Sequence, residues 1–423
     1  MNFIDLRVAK PLLNALEDLE YVYPTPIQQK CFRRITSGAD VVGIAKTGTG
    51  KTLAYLLPIL SQLEYSNQKN PRVIILVPTR ELVVQVCEEA EKISKYKSVR
   101  IKGVFGGVNI NTQKDYVFDD GADILVGTPG RLYDIAVTGV IRFSNVKKIV
   151  IDEVDEMLSL GFRPQIEQIF EMLPNKRQHL MFSSSLSENV EEFIKSYFNS
   201  PEKIEVDVES APVEKIKQTF FPVQNFNTKI EFLKVLLSQK DEFIKNLIFV
   251  ADKRQADLVF DKLSSEFEDL GIIHSNKSQN YRFNTIKNFE KRKIRSLIAT
   301  DVVARGLDFS DISHVINFSV PENASDYIHR IGRTARAGKT GTSILMYAPY
   351  EEKYFEEIKK IAGENTKEES FPQGIPKIDS LLEFEKPAFT HKQITKAPDI
   401  SKGGGAFHEK RNINTKQKRK RRK

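Results

Sequence analysis

The chain has 423 residues, of which 40% are hydrophobic, and its net charge is +8. This length favours two domains followed by a tail, with enough apolar residues for buried cores. No apolar run in the sequence approaches the roughly 18 residues that a membrane-spanning helix needs, so we expect neither an anchor nor a signal peptide. The two cysteines, Cys31 and Cys87, form no CxxC pair, which favours reduced thiols and a cytoplasmic protein.

The positive charge is concentrated at the C-terminus. Residues 401–423 contain ten basic residues and one acidic residue, a net charge of +9, so the rest of the chain sums to −1. A segment with so much charge and so little apolar surface cannot fold on its own. We therefore predict a disordered basic tail over residues 364–423 that attracts polyanions.

The first clear motif is a strand that runs into a glycine-rich loop. The apolar residues Val41–Ile44 precede the sequence AKTGTGKT, and a stretch with leucines on one helical face follows. Strand, glycine loop, Lys-Thr and helix is the arrangement of the phosphate-binding P-loop. The residues that we expect to contact a nucleotide here are Ala45, Lys46, Thr47, Gly48, Thr49, Gly50, Lys51 and Thr52.

The chemistry explains the residue types in this loop. Gly48 and Gly50 allow a tight turn that aims backbone N–H groups at an anion, and the helix N-terminus adds a partial positive charge. Lys51 would neutralise the β- and γ-phosphates, and the Thr52 hydroxyl would bind Mg²⁺. A glycine-rich turn without a ligand is the alternative, which the strand and helix context disfavours.

An acidic motif, Asp152-Glu153-Val154-Asp155, directly follows a second apolar strand. Beside a P-loop, an acid in this position is typical of Mg²⁺ binding in nucleoside triphosphatases. Asp152 would hold the metal, and Glu153 would orient and deprotonate the attacking water. The alternative is a solvated acidic helix start, because carboxylates suit a helix N-terminus.

Strands and helices alternate along two long segments, residues 1–207 and residues 218–363, with a linker predicted at residues 208–217. The strands predicted in the first segment are Val41–Ile44, Val73–Val77, Arg100–Val104, Ile124–Val126, Lys148–Ile151 and His179–Phe182. Those predicted in the second are Leu247–Val250, Gly271–His274, Ser296–Ala299, His314–Phe318 and Thr342–Met346. Aliphatic strands separated by helices predict the α/β class, with parallel sheets covered on both faces.

The second segment also carries an arginine-rich motif, HRIGRTAR, over residues 329–336. Arg333 and Arg336 are three residues apart and would share one face if the motif is helical. Arginines in a separate domain suit a finger that stabilises charge on the γ-phosphate when the domains close. The alternative is a surface cluster that binds only nucleic acid.

Taken in order, these motifs resemble those of the DEAD-box ATP-dependent RNA helicases over residues 3 to about 345. The further motifs that carry the resemblance are YPTPIQ (23–28), PTREL (78–82), GG (106–107), TPGR (128–131), SSS (183–185) and ATDVVARGLD (299–308). The resemblance implies two tandem RecA-like parallel-sheet domains of the superfamily 2 helicase core, with ATP and Mg²⁺ as cofactors. It further implies that ATP binding and hydrolysis drive local unwinding or remodelling of RNA duplexes and RNA–protein complexes.

The resemblance also assigns roles to individual residues. The implied catalytic residues are Lys51, Asp152, Glu153, Arg333 and Arg336. Adenine would contact Gln28 and Tyr21, and the ribose would contact Asp308. The implied RNA-contacting residues are Arg80, Gly107, Thr128, Arg131, Gln279, Arg282 and Thr300, whose backbone contacts are sequence-independent. The residues implied in coupling are Asp155, Ser183, Ser185 and His329.

The chain departs from the family pattern at five positions. Val154 replaces the alanine of DEAD, Ser184-Ser185 replace the Ala-Thr of the usual Ser-Ala-Thr motif, and Ala335 and Glu20 stand where the family usually has glycine. Three rival functions stay open at this point: an RNA clamp or chaperone with weak unwinding, a DNA helicase, and a basic-tail scaffold with a degenerate motor. We expect a monomeric core that acts on single-stranded and short duplex RNA, with ribosomal precursors or RNA-processing proteins as candidate partners.

Overall fold

The computed structural model describes residues 2–46, 48–206, 216–304, 309, 311–335, 340–363 and 365–386. Within these ranges it contains two seven-stranded sheets. The predictions for Thr47, Asp308, Arg336 and residues 387–423 lie outside the described residues, as does most of the predicted linker.

The first sheet lies in the N-terminal half of the chain. Its strands are β1 (Val41–Ile44), β2 (Val73–Leu76), β3 (Ile101–Val104), β4 (Ile124–Gly127), β5 (Lys148–Ile151), β6 (Gln178–Ser183) and β7 (Glu202–Glu205). Its helices are α1 (Lys10–Asp18), α2 (Pro26–Thr36), α3 (Lys51–Gln62), α4 (Arg80–Ile93), α5 (Ile110–Asp120), α6 (Pro129–Val137), α7 (Val154–Ser159), α8 (Arg163–Met172) and α9 (Glu188–Tyr197). All strand pairs are parallel, in the order β3-β4-β2-β5-β6-β1-β7.

The second sheet follows the same plan. Its strands are β8 (Ile216–Pro222), β9 (Asn246–Val250), β10 (Leu270–Ile273), β11 (Ser296–Thr300), β12 (His314–Asn317), β13 (Gly341–Tyr347) and β14 (Thr366–Glu368). Its helices are α10 (Phe226–Ser238), α11 (Lys253–Leu263), α12 (Gln279–Glu290), α13 (Asp301–Ala304), α14 (Ala324–Ile331) and α15 (Glu352–Ile361). The strands are again all parallel, in the order β10-β11-β9-β12-β13-β8-β14.

The two sheets therefore have identical strand orders, which confirms the prediction of two tandem RecA-like parallel sheets. All eleven predicted strands form, and each observed strand end lies within one residue of its predicted position. Successive residues of a strand face opposite sides of the sheet. In β2, for example, Val73 and Ile75 enter one buried core, whereas Ile74 and Leu76 enter the other. Among the described residues, no helix is long and apolar enough to span a membrane.

Three strands, β7, β8 and β14, escape the sequence prediction. β7 and β14 form edges of the two sheets and consist largely of charged residues, in the sequences EKIE and TKE. Charged side chains on edge strands protect against unwanted strand pairing, so these strands lack the apolar run on which the prediction relied. β8 begins at Ile216, and the last two residues of the predicted linker are therefore strand.

The end of the second domain also differs from the prediction, which placed residues 364–423 in a disordered tail. β14 pairs with β8, with Thr366 opposite Gln218. The ring of Phe371 packs edge-on against Phe232, with ring centroids 5.6 Å apart. Further along, the Ile378 N–H donates to Thr228 Oγ1 at 3.0 Å. Residues 365–381 are therefore part of the second domain, held by backbone pairing and side-chain contacts that a composition-based boundary cannot detect.

This segment gives a prediction about stability. A chain that ends at Gly363 loses β14, the Phe371 ring and the Ile378 hydrogen bonds, whereas a chain that ends at Lys386 keeps all of them. We expect the shorter chain to melt at least about 4 °C lower, since each lost kcal/mol shifts the Tm of a domain this size by about 2–4 °C. The chain that ends at Lys386 should melt within about 1 °C of the full-length protein. Equal melting temperatures for the two truncations would contradict a structural role for residues 365–381.

Candidate nucleotide and RNA site

The predicted motifs follow the carboxyl ends of parallel strands, where ligands bind in open α/β sheets. A cavity of ≈ 450 Å³ opens there in the first domain. Its lining includes Tyr21, Gln28, Gly50, Lys51, Glu153 and, from the second domain, Arg333. The structure thus brings the predicted adenine, phosphate, hydrolysis and finger residues to one place.

The P-loop joins β1 to α3 and has the backbone that its glycines predict. Gly48 and Gly50 have φ angles of 79° and 85°, in the left-handed region that favours glycine. The loop is braced internally by the Thr49 hydroxyl, which donates to the Lys46 carbonyl at 2.7 Å. At its start, the Ala45 N–H donates to the Ser183 carbonyl at 3.1 Å. The loop is therefore tied to the serine motif after β6.

Lys51 is the first residue of α3, and its ammonium group is buried. The Nζ atom lies 3.3 Å from Glu153 Oε1, yet it makes no hydrogen bond of good geometry with any described residue. Burial alone would lower the pKa of Lys51, but the charges of Glu153, Asp152 and Asp155 raise it above its ordinary value. A buried cation without a full set of hydrogen-bond acceptors fits an anionic ligand such as a phosphate group.

The two carboxylates of the acidic motif have different surroundings. Asp152 is only 2% exposed, and it accepts hydrogen bonds from the Tyr55 hydroxyl at 2.9 Å and the Glu153 N–H at 3.0 Å. Burial, followed by the charge of Glu153, raises the pKa of Asp152 to about 7. Glu153 has a left-handed backbone, with φ 55° and ψ 49°. A non-glycine residue in that region stores strain of about 1–3 kcal/mol, which is typical of functional sites.

Gln28, the last residue of the YPTPIQ motif, bridges two elements. Gln28 Oε1 accepts from the Thr25 N–H at 2.9 Å, and its Nε2 donates to the Gly50 carbonyl at 3.1 Å. A Cβ atom on Gly50 would lie 2.3 Å from Gln28 Nε2, so only glycine fits beside it. Tyr21 lines the same cavity, and its hydroxyl donates to Glu89 at 3.4 Å.

The structure places Arg333 of the arginine motif at the nucleotide cavity and outside the preceding helix. Arg333 is buried and lines the nucleotide cavity. However, α14 ends at Ile331, so Arg333 lies on the turn after this helix and not on a helical face that it could share with Arg336. His329 lies within α14. Burial alone would raise the pKa of Asp155, but Lys51, the Ser184 hydrogen bond and then His329 lower it.

The predicted RNA-contacting residues of the first domain form a cluster. A Cβ atom on Gly107 would lie 2.0 Å from Arg80 Nη1, so the glycine is required for this approach. Arg131 donates to Gln113 Oε1 at 2.7 Å and to the Val108 carbonyl at 2.9 Å. Burial lowers the pKa of Arg131, and the nearby positive charge of Arg80 lowers it further. The two guanidinium groups thus repel each other mildly, and an anion between them would relieve that repulsion.

Two of the remaining predicted RNA residues, Thr128 and Thr300, lie at equivalent positions of the two sheets. Thr128 precedes α6 at the end of β4, and Thr300 is the last residue of β11; both are 8% exposed. Gln279 and Arg282 lie in the first turn of α12.

Side chains of α12 contact those of α4 between the two domains. Arg80 donates to Gln279 Oε1 at 3.2 Å, and Gln279 donates to Glu81 Oε1 at 3.2 Å. The same Glu81 oxygen lies 2.5 Å from Arg282 in a buried ion pair. Sequence reasoning named both arginines and the glutamine as RNA contacts but gave no role to Glu81. Its position in PTREL, next to Arg80, was the available signal.

Asp155, the last residue of the acidic motif, is hydrogen-bonded to the serine loop, residues 183–185. Its Oδ2 atom accepts hydrogen bonds from the Ser184 N–H at 3.2 Å, the Ser184 hydroxyl, and the Ser185 hydroxyl at 3.1 Å. Ser183 does not reach Asp155 in this way, and its hydroxyl donates to the Ser185 carbonyl at 2.7 Å. Sequence reasoning assigned coupling to Ser183 and Ser185 and missed the hydroxyl of Ser184.

Two of the departures from the family pattern fall on unusual backbone. Glu20 has a φ of 58° and Ala335 a φ of 56°, both in the left-handed region where glycine is favoured. The family's usual glycines thus have a conformational reason here. A non-glycine residue in the left-handed region costs about 1–2 kcal/mol. This chain has one such residue at Glu20, shortly before the YPTPIQ motif, and another at Ala335, in the arginine motif.

Comparisons with known proteins agree with this geometry. A DEAD/DEAH box helicase model matches residues 25–193, and a helicase conserved C-terminal domain model matches residues 228–338. The DEAD-box ATP-dependent RNA helicase CshA of Bacillus cereus is 34% identical over 390 residues, which cover 92% of this chain and 73% of the relative. CshA of Geobacillus kaustophilus is 35% identical over 385 residues, covering 91% of this chain and 80% of the relative.

Solved structures give the same result. Dbp5 of S. cerevisiae, bound to RNA and ADP BeF3, matches with a TM-score of 0.77 and 26% identity over 87% of this chain and 95% of that one. Mss116p, bound to ssRNA and AMP-PNP, matches with a TM-score of 0.77 and 30% identity over 86% of this chain and 77% of that one. The chain belongs to the DEAD-box family and is an ATP-dependent RNA helicase.

Proposed function

We propose that this helicase opens RNA locally when ATP draws its two domains together, and that the residues of the ≈ 450 Å³ cavity carry out the hydrolysis. The observation that carries this proposal is the buried Lys51 ammonium, 3.3 Å from Glu153 and without a hydrogen bond to the described residues. A triphosphate would give it the acceptors that the protein does not provide. Arg333 lines the same cavity, so the second domain would contribute to the site only when the domains approach each other.

The residues present also fit a magnesium ion. Asp152 is buried at the end of β5, close to Thr52 at the start of α3. The described residues include no cluster of three or more His, Cys, Asp or Glu side chains that would hold a metal by itself. Mg²⁺ typically keeps several waters and binds through one or two protein ligands plus substrate phosphates. Bound there, Mg²⁺ would neutralise charge on the β- and γ-phosphates.

In the hydrolysis step, Glu153 would act as the general base. It would take a proton from a water molecule whose oxygen forms a bond to the γ-phosphorus. The bond from this phosphorus to the bridging oxygen would break, and ADP would leave with that oxygen. Lys51 and Arg333 would stabilise the charge that develops on the phosphate oxygens. Glu153 itself lines the cavity, and its left-handed backbone is the kind of strain that functional sites hold.

RNA would bind across both domains. Arg80 and Arg131 would contact phosphates from the first domain, and Thr300 and Arg282 from the second, without reading sequence. Mss116p was solved with ssRNA and AMP-PNP, which supports a single strand as the bound form. Loss of ATP would reopen the domains and release the strand. We retain the cytoplasmic location as part of this proposal, in keeping with the bacterial CshA relatives.

Two rival functions make different predictions for the wild-type protein. A DNA helicase would show equal stimulation of its ATPase by RNA and DNA of the same sequence and length, whereas we expect RNA to stimulate more. An RNA clamp would hydrolyse ATP without separating strands, whereas we expect short duplexes to open at a rate that follows ATP turnover.

Lys51→Ala should abolish most of the RNA-stimulated ATPase activity. Removal of a preorganised charge next to the transferring phosphate typically costs about 10²–10³ in kcat. The exposed Lys92 of α4 offers a matched control, since Lys92→Ala makes the same change of charge in the same domain. ATPase activity of Lys51→Ala within about twofold of the Lys92→Ala value would overturn the assignment of the phosphate site.

Glu153→Gln should slow hydrolysis and retain the ATP-bound complex on RNA. The amide has the size of the carboxylate but cannot accept the proton from water, a loss of about 10²–10⁴ in rate for a general base. We expect RNA to dissociate more slowly in the presence of ATP, as measured by chase with unlabelled RNA. Glu171→Gln, on the exposed face of α8, is the control. An RNA off-rate equal to that of the control would argue against Glu153 as the base.

Gln28→Ala should weaken ATP binding more than GTP binding. In this proposal, the amide of Gln28 would select adenine by a pair of hydrogen bonds. Its contact with the Gly50 carbonyl also steadies the P-loop, so the KM for both nucleotides should rise, and that for ATP should rise more. Equal turnover of ATP and GTP by the wild-type protein would exclude this assignment.

A further inference from the structure

Three hydrogen-bond donors converge on one oxygen of Asp155. Two of them, the N–H and the hydroxyl, belong to Ser184, and the third is the hydroxyl of Ser185. The other carboxylate oxygen, Oδ1, is also buried, and it accepts no hydrogen bond from the described residues. The serine loop therefore determines which way the carboxylate of Asp155 faces.

The hydroxyl of Ser184 is the part of this arrangement that the chain adds. The usual Ser-Ala-Thr motif has only a methyl group there, so the backbone N–H and one hydroxyl would be the only donors from this loop. Here an additional charge-assisted hydrogen bond holds the carboxylate, and such bonds are roughly twice as strong as neutral ones. Ser184 is half-buried at the end of β6 and does not line the nucleotide cavity. Its effect on the reaction would therefore be indirect.

The hydrogen bond between Ser184 and Asp155 connects the P-loop side of the nucleotide site with the start of α7. On one side, the Ser183 carbonyl accepts from the Ala45 N–H of the P-loop. On the other side, Asp155 lies in the first turn of α7, which begins directly after Glu153. Burial alone would raise the pKa of Asp155, but Lys51, the Ser184 hydrogen bond and then His329 of the second domain lower it below its ordinary value. The contact therefore lies between the nucleotide site and the second domain.

We propose that the hydroxyl of Ser184 is a positioning group that holds Asp155 Oδ2 on the serine loop and so fixes the direction in which the buried Oδ1 faces. Through it, nucleotide binding and RNA binding are coupled more strongly than the usual motif would allow. The inference rests on the proposed function, because it assumes that ATP and RNA favour the same closed state. It goes beyond that function in assigning part of the coupling to a residue that never touches nucleotide or RNA.

The test measures the coupling directly. The dissociation constant of a short single-stranded RNA is determined with and without AMP-PNP, and the ratio of the two values is the coupling factor. We expect Ser184→Ala to reduce this factor by about fivefold to tenfold, with the affinity for RNA alone within twofold of wild type. Ser184→Thr keeps the hydroxyl and should restore the factor to within about twofold. Ser187→Ala, a few residues later on the exposed surface, controls for loss of a serine hydroxyl.

Several outcomes would overturn the inference. One is a coupling factor for Ser184→Ala equal to that of Ser187→Ala, and another is a threonine variant as weak as the alanine variant. A parallel loss of RNA affinity without nucleotide would show a role in RNA binding instead. Ser184→Cys, which keeps the size of serine but donates only weakly, should resemble Ser184→Ala and serves as a second variant if the alanine protein is unstable. If AMP-PNP does not change the RNA dissociation constant of the wild-type protein, the proposed function itself is contradicted.

Discussion

The buried ammonium group of Lys51 is the interaction on which the nucleotide site depends. Desolvation of a lone cation is costly unless opposite charges surround it, and here Asp152, Glu153 and Asp155 supply that charge. Burial of Asp152, followed by the neighbouring charge of Glu153, raises the pKa of Asp152 to about 7. With all four groups ionised, one cation and three carboxylates sum to a net charge of −2, which a bound metal ion, and not the phosphate chain, would offset. Positive groups from outside the P-loop, above all Arg333, would complete the balance only when the second domain is close.

The contact between α4 and α12, at the predicted RNA site, also depends on buried charges. Glu81 is buried and paired with Arg282, while Arg80 donates to Gln279. The breaking of a buried ion pair by loss of one partner typically costs about 3–5 kcal/mol, so this contact favours one arrangement of the two domains over others. Because Arg80 shares this network and also approaches Gly107, a phosphate bound at Arg80 would bias the same domain contact. In the proposed function, RNA and ATP would thus act on one equilibrium from two sides of the first domain.

The sequence was informative where residue type and conformation coincide. The strands formed as predicted because Val, Ile and Leu runs in a parallel sheet are buried on both faces, and the glycines of the P-loop have the positive φ angles that only glycine adopts without strain. The sequence was uninformative where a strand or segment pairs with backbone that is distant along the chain. The charged edge strands β7 and β14 have no apolar signal, and residues 365–381 join the second domain through contacts with β8 and α10. The hydrogen bonds of Ser184 and Glu81 were also hidden, since a one-dimensional pattern does not show which oxygen a side chain reaches.

The identical strand orders of the two sheets raise the question of why only one domain holds a P-loop. In the first domain, β1 leads through the glycine loop into α3; in the second, the equivalent strand β8 leads into α10 through Val223, Gln224 and Asn225. Asn225 accepts the Thr228 N–H at 2.9 Å and so caps α10, which satisfies a donor that an anion would otherwise bind. Residues 378–380 then cover the same helix end, with Ile378 bonded to Thr228 and Asp379 accepting from Gln224 at 3.0 Å. The second domain thus uses its own side chains and C-terminal segment at the place where the first binds phosphate. Among the described residues of the second domain, Arg333, on the turn after α14, is the one that lines the nucleotide cavity.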